Sequence, residues 1–376
     1  MKEKVLFVAT VLRGHILVFH LPYMRWFQEQ GYEVHVCAGN DTEESEPEIP
    51  YCDRYVALPF ERSPLHPKNI AVYRQLKKQM EDEQYALIHC HTPVGGMLGR
   101  LCARSSRKHG TQVLYTAHGF HFFSGAPLKN WLLYYPAEWW LAKYTDVLIT
   151  INREDFERAK AFSAKRVELV AGVGVDLAKF ETPTDKGAVR EALGIPADAC
   201  IAICVGEHSL RKNHETALRA VAMQEDCWLL FCGVGETEDS LKTLAETLGI
   251  THRVRFLGFR KDVPELLAAS DIFLFPSRQE GLPVALMEAM AAGLPCVVSR
   301  VRGNADLICQ GEGGMLCAPE DADGFAEGIQ KIWGDPSLWQ TMSDRNLREI
   351  KAYGLQEVCG QVTDIYRRQL QGEGER

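Results

Sequence analysis

Nowhere does the 376-residue sequence approach the roughly 18–20 consecutive apolar residues that a membrane-spanning helix needs, so no helical span is expected. Internal repeats and low-complexity tracts are also missing, and disorder is expected only at the ends. None of the twelve cysteines forms a Cys-x-x-Cys pair; the closest are Cys200/Cys204 and Cys227/Cys232. That lack removes the usual zinc and dithiol patterns, and twelve cysteines in so long a chain read as small buried residues of a reducing compartment rather than a disulfide framework. The opening Met1-Lys2-Glu3-Lys4 followed by Val5 to Leu12 imitates a signal peptide. It has no small-residue cleavage site and runs into Arg13-Gly14-His15, so it is read as a first strand. A cytoplasmic setting is expected, either free or peripheral on the inner face of the membrane.

What is present is ordinary in bulk and uneven in distribution. Hydrophobic residues make up 46% and charged residues 24%, near the globular average, and the length suits two domains rather than one. The net charge of −8 hides an asymmetry: 21 Lys+Arg face 20 Asp+Glu up to Asp176, and 21 face 30 beyond it. Nine of the twelve histidines also lie in the first half, which is thus better suited to an anionic partner.

Short apolar runs alternate with helical spacing along the whole chain. Val5–Ala9, Val34–Cys37, Ala86–Cys90, Val113–Thr116 and Val147–Thr150 form one series; Ile201–Val205, Trp228–Phe231, Val254–Leu257, Ile272–Phe275 and Cys296–Val298 form a second. Runs of this length separated by helices predict βαβ units in parallel sheets covered on both faces. Gly172-Val173-Gly174-Val175-Asp176 and Pro183 interrupt both periods and mark the boundary. We therefore expect α/β domains over 1–175 and 176–352, then a segment 353–376 whose helix, about Leu355 to Leu370, crosses back to the first domain. Ligands of open parallel sheets sit beyond the carboxyl ends of the strands, so two facing domains would share a cleft.

The most informative stretch runs from Phe275 to Pro295. A strand ends near Phe275, Glu280-Gly281 make a turn, and Pro283 suits a helix start because its missing N–H would have no partner there. The free N–H groups of that helix, around Gly281, Leu282, Pro283 and Val284, suit a diphosphate, and Gly281 permits close backbone approach. Glu280 before the helix and Glu288 inside it are placed to accept hydroxyl hydrogens from sugars on either side of the diphosphate. A helix-start acid and a solvated helical acid would leave the same bare pattern.

The context of that pair, Asp271 to Ser277 before it and Ala291 to Val297 after it, resembles retaining glycosyltransferase family 4, whose hallmark is Glu-x7-Glu in an E-G-x-P setting. The resemblance implies a GT-B fold of two Rossmann-like domains, with Glu280 on the transferred sugar and Glu288 on the ribose of a nucleotide-sugar. The family commonly has V-G-R-x4-K-N after an earlier strand; here Val205-Gly206-Glu207 to Lys212-Asn213 keeps Gly206 and Lys212 but puts Glu207 where arginine is usual. Diphosphate neutralisation would then rest on Lys212, the helix tip and Arg211. Leu257-Gly258-Phe259-Arg260 falls where such enzymes hold the nucleobase.

On the acceptor side, Thr116-Ala117-His118-Gly119 follows a strand and matches the family's T-x-H-G element, whose histidine lies near the donor sugar. His118 and Glu280 are thus the expected catalytic pair. Gly14 and His15 occupy the turn that lines acceptor sites in such enzymes, although the frequent Gly-Gly pair is missing. His89-x-His91 and His118-x2-His121, together with His20, invite a metal reading. No acidic partner accompanies them at useful spacing, so no metal or other cofactor is expected.

Arg100, Arg104, Arg107 and Lys108 recur at helical spacing, Lys77 and Lys78 precede them, and Trp131 to Leu141 is rich in aromatics. A first domain resting on an anionic bilayer fits this pattern, as does a solvated basic helix beside a core helix. The stretch His118 to Pro127 resembles bacterial capsule, exopolysaccharide and lipid-linked-oligosaccharide transferases, which implies a polyprenyl-diphosphate-linked acceptor. The expected activity is transfer of a hexose or N-acetylhexosamine from a UDP-sugar with retention, and no nucleic acid is expected as partner. A UDP-sugar epimerase and a non-catalytic sugar-nucleotide-binding protein are the competing readings.

Overall fold

A computed structural model describes residues 2–372. The chain divides into two compact units, one of Met1–Val173 with Val358–Arg376 and one of Gly174–Glu357. The first holds a seven-stranded parallel sheet of β1 (Lys4–Val11), β2 (Glu33–Gly39), β3 (Arg54–Ala57), β4 (Leu87–His91), β5 (Gln112–Ala117), β6 (Val147–Thr150) and β7 (Arg166–Leu169), in the order β3-β2-β1-β4-β5-β6-β7. The second holds a six-stranded parallel sheet of β8 (Cys200–Val205), β9 (Cys227–Cys232), β10 (Val254–Phe256), β11 (Ile272–Phe275), β12 (Cys296–Ser299) and β13 (Gly314–Cys317), in the order β10-β9-β8-β11-β12-β13.

Both sheets are packed on two faces, which is why their strands read as continuous apolar runs rather than alternating ones. Leu6, Val8, Ile88, Cys90, Val113 and Tyr115 point into one core of the first unit, while Val5, Phe7, Leu87, Leu114, Val147 and Ile149 point into the other. All ten apolar runs picked out in the sequence are strands. The three strands without such a run, β3, β7 and β13, are sheet edges. An edge strand is short and half-covered, so Arg54-Tyr55-Val56-Ala57 and Arg166-Val167-Glu168-Leu169 carry polar residues that hide the period.

The helix Leu355–Leu370 returns to the first unit. Its Val358, Val362, Ile365 and Tyr366, spaced as one helical face, join the core of Phe7, Phe27 and Ala38. Residues 373–376 of the predicted terminal segment lie outside the described residues. In both sheets the chain reverses its direction of winding at one point, between β1 and β4 and between β8 and β11. Loops leaving two adjacent strands diverge there, and the gap they leave is where such sheets bind ligands.

Candidate active site

In the second unit the reversal point brings together residues 68 positions apart. The loop after β8 carries Gly206, Glu207, Arg211 and Lys212, and the loop after β11 carries Glu280 to Pro283. Lys212 Nζ donates to Glu280 Oε1 at 2.8 Å, and Arg211 Nη1 donates to the same oxygen at 3.1 Å. Lys212 and Glu280 are both buried, and the lysine ammonium also lies 4.4 Å from the centre of the Phe275 ring. Burial lowers the Lys212 pKa, and Glu280 opposes that shift.

The two loops are tied by backbone and amide bonds. The Arg278 N–H donates to Arg211 O at 2.9 Å, and Asn213 Nδ2 donates to Pro276 O at 3.1 Å and Pro319 O at 2.7 Å. Asn213 adopts a left-handed conformation, φ 55°, which asparagine tolerates better than most residues and which turns the chain from Lys212 into the helix His214–Ala222. The sequence reading left out Asn213, although it stands beside Lys212 in the quoted motif.

A third loop, after β12, closes on the same place. Arg302 Nε donates to Glu280 O at 3.0 Å, and a Cβ on Gly303 would stand 2.4 Å from Gly281 O, so only glycine admits that approach. Arg302 is buried and was not anticipated, because it lies outside the Glu-x7-Glu stretch.

The helix runs over Val284–Ala291, and Pro283 is its N-cap rather than its first residue. The correction has a simple cause: ψ of Pro283 is 122°, extended, while its carbonyl already accepts the first helical bond from Met287 N–H at 3.2 Å. No side chain caps this end. Its first-turn N–H groups and the positive end of the helix dipole therefore face the turn that carries Glu280 and Gly281.

Glu288 is half-buried one turn into that helix, and burial raises its pKa while Lys179 opposes the shift. At the end of β9, the thiol of Cys232 is pushed up to about 11, first by burial, with Arg260 lowering it and Glu288 raising it further. That thiol thus lies within electrostatic reach of both Glu288 and Arg260. Phe259 is 75% exposed, an aromatic face left free beside them, and Arg260 pairs with Asp262.

The first unit has its own convergence at its reversal point. β1 leads into a π-helical turn, Leu12–Leu17, that contains Gly14 and His15. β4 ends on His91, and His118 follows β5. His15 and His118 rings lie 4.7 Å apart, edge to face. The Gly14 N–H is taken by Asp41 Oδ2 at 3.0 Å and the Arg13 N–H by Asp41 Oδ1 at 2.6 Å, so this turn does not offer those groups to an acceptor phosphate. Asp41 lay outside every sequence motif and is a functional candidate that only its position in space reveals.

The basic face expected on one helix is not formed. The helix Pro93–Cys102 stops before Arg104, and Arg107 and Lys108 fall in a separate short turn, Ser106–His109. Arg100 is fully buried, held by Glu138 at 2.8 Å and stacked 3.9 Å from the Tyr115 ring centre. Its spacing matched the surface residues, but its face of the helix packs inward. Arg107 is paired with Asp146. Basic side chains still gather in a surface hollow of about 700 Å³, lined by Lys77, Arg104, Lys108, Lys143 and Lys165 together with Asp146.

Comparison with known proteins agrees with this arrangement. Residues 185–349 match the family described as Glycosyl transferases group 1, and residues 23–179 match Glycosyltransferase Family 4. The chain is 41% identical to a protein named as glycosyltransferase EpsD of Bacillus subtilis (strain 168), over 97% of each chain. It is 31% identical to the UDP-Gal:alpha-D-GlcNAc-diphosphoundecaprenol alpha-1,3-galactosyltransferase of Escherichia coli, over 79% of this chain and 78% of that one. The solved structure of Anabaena Alr3699/HepE in complex with UDP and glucose superposes with a TM-score of 0.78 at 18% identity, covering 97% of this chain and 99% of that one, a likeness of fold. With two parallel Rossmann-like sheets and a relative of this similarity along its whole length, the chain belongs to the GT-B glycosyltransferases of the family 4 type.

Proposed function

We propose that the protein transfers a hexose or N-acetylhexosamine from a UDP-sugar, with retention, to a hydroxyl of a polyprenyl-diphosphate-linked saccharide in bacterial polysaccharide assembly. The observation that carries this reading is the Lys212–Glu280 contact beside the uncapped tip of the Val284–Ala291 helix. A diphosphate at that tip would draw Lys212 and Arg211 toward its oxygens, which frees Glu280 to accept hydrogens from the sugar hydroxyls. Lys212, Arg211 and the helix N–H groups then stabilise the departing diphosphate without a divalent ion. Glu288 holds the ribose, and Phe259 and Arg260 flank the base. Glu207 is exposed, and its negative charge in place of the usual arginine acts on Lys212, favouring the charged form of that lysine.

The first unit takes the acceptor, with His15, Asp41 and His118 lining it. The E. coli relative is named for a lipid-linked acceptor and a UDP-sugar, and the HepE structure holds UDP and glucose, which supports both halves of the proposal. Among the described residues no helix is long and apolar enough to cross a membrane. The helix Leu128–Ala142, however, is apolar on two sides: Trp131 and Tyr135 pack on the core, while Leu128, Leu132, Leu133, Trp139 and Trp140 are exposed. With the basic hollow it supports peripheral docking on an anionic bilayer.

The test is turnover of a panel of UDP-sugars with a synthetic GlcNAc-diphospholipid, the product linkage read by NMR. A glycosylated lipid with the donor's anomeric configuration is expected. Epimerised donor without acceptor, or UDP binding with neither transfer nor slow donor hydrolysis, overturns the proposal.

A further inference from the structure

Four histidines from three separate strand ends meet in the first unit. His15 comes from the π-helical turn after β1, His20 caps the helix Leu21–Glu29, His91 ends β4 and His118 follows β5. One ring nitrogen from each lies within 4.8 Å of one from every other. This is not the set suggested by sequence spacing. His89 is committed to Tyr366 Oη at 2.7 Å and Thr116 Oγ1 at 2.8 Å, and His121 stacks on Tyr134.

The cluster is unusual in how little of its polarity is used. His15, His20 and His91 are buried, and His118 is half-buried. Nε2 of His15, both ring nitrogens of His20, both of His91 and Nε2 of His118 are buried without a hydrogen-bond partner. Buried polar atoms are normally paired, and an orphaned set gathered in one place calls for a shared partner. Chance packing of one histidine explains one orphan; it does not explain four histidines that each bring a ring nitrogen within 4.8 Å of the other three.

From this juxtaposition we infer that His15, His20, His91 and His118 form a site for one transition-metal dication, with zinc the best match. Imidazole nitrogens suit zinc, copper and nickel, whereas magnesium and calcium require oxygen ligands, which this set lacks. A tetrahedral ion with bonds of about 2.0–2.1 Å to four imidazoles places the ring centres about 5 Å apart. The six observed centre-to-centre distances run from 3.8 Å for His20–His91 to 6.2 Å for His20–His118, on either side of that value.

The rings are also held in the ligating form. Burial, and then the proximity of His89, lowers the pKa of His15 to about 4; burial followed by neighbouring histidines lowers those of His20, His91 and His118 well below the usual value. Neutral imidazole coordinates a metal without first losing a proton. Supporting contacts lie behind the set: the Phe7 ring stacks parallel to His91 at 6.2 Å, and His89, fixed by Tyr366 of the returning helix, stands 4.0 Å from it. The ion ties the loops after β1, β4 and β5 to one another and fixes the ring of His118. It is structural to this unit, and the donor-site reading stands with or without it.

The test uses the full-length chain, stripped by chelator and dialysed, then titrated separately with Zn²⁺ and Co²⁺. One ion per chain by native mass spectrometry, a melting temperature raised by several degrees, and the intense visible absorption of tetrahedral Co²⁺ are expected. His20→Phe and His91→Phe keep a ring in place and should each weaken binding more than tenfold. A His109→Gln/His252→Gln variant, which alters two exposed histidines, should bind like the wild type. The inference is overturned if the stripped wild-type chain takes up no stoichiometric ion, or if the exposed-histidine variant abolishes uptake. Should the phenylalanine variants fail to fold, the wild-type titration and the Co²⁺ spectrum decide alone. UDP affinity measured on the same samples should not depend on the ion, which separates failure here from failure of the donor site.

Discussion

Lys212 and Glu280 are 2.8 Å apart although they leave different strands, and neither side chain is appreciably exposed. A buried pair of this kind costs desolvation on both sides and contributes little net stability. Removal of the lysine leaves the buried Glu280 carboxylate with only the more exposed Arg211 as charged partner. Lys212→Met should therefore destabilise the second unit by about 3 kcal/mol, and Lys212→Met/Glu280→Gln should recover most of that loss. Urea unfolding followed by Trp fluorescence measures both. Either variant should lose more than 100-fold in turnover if the pair exchanges partners with the donor, since a charged transition-state donor is typically worth about 3–4 kcal/mol. Near-normal turnover in the double variant would remove these residues from the mechanism.

Glu288 offers a cleaner separation of binding from chemistry. Glu288→Ala should weaken UDP binding by roughly 10–100-fold, the value of a hydrogen bond to a charged group at about 1.5–3 kcal/mol. Because burial raises the pKa of this carboxyl, its ionised, hydrogen-accepting form is lost at a higher pH than for a free glutamate. UDP affinity by calorimetry should fall as pH drops toward that raised value, and the alanine variant should lack this dependence.

His118→Asn is expected to slow turnover by about 100-fold, toward the low end of what a positioned catalytic side chain contributes, while leaving UDP binding in the second unit unchanged. A rise in KM for the donor with kcat intact would assign it to uniform binding instead.

Asp146 links structure to acid stability. Burial pushes its pKa up, but Arg107, the Val113 N–H and Lys165 outweigh that effect and hold it below the usual aspartate value. A depressed carboxyl stabilises the fold fully above its unfolded pKa of about 3.9 and loses that contribution as pH falls through the folded value. Thermal melts should show Asp146→Asn less stable than wild type at pH 7, with the gap closing below pH 4. A constant gap would assign the loss to packing.

Vesicle flotation tests the membrane face. The wild type should float with anionic vesicles, less so at high salt. Leu132→Asp/Leu133→Asp should stay in the aqueous phase while keeping UDP affinity. Flotation unaffected by both salt and this variant would exclude the helix Leu128–Ala142 as the docking element.

The alternation of apolar runs and helices was legible along the chain because central strands of a parallel sheet are apolar on both faces. Among the four edge strands β10 was legible, but β3 and β7 were not, because charged residues break their short runs, nor was β13, four residues that begin with glycine. The Glu-x7-Glu stretch named Glu280 and Glu288 because a helix start and its flanking acids are local in sequence. Which cation meets Glu280 was not local: Lys212 and Arg211 reach it only because β8 and β11 are neighbours in the sheet. For the same reason Arg100, indistinguishable by spacing from Arg104, proves to be buried against Glu138. Four histidines scattered from position 15 to position 118 face one another only because β1, β4 and β5 lie side by side. Residue types and short-range periods set the elements and the local chemistry; the order of strands, a property of the folded sheet, decided which side chains share a site.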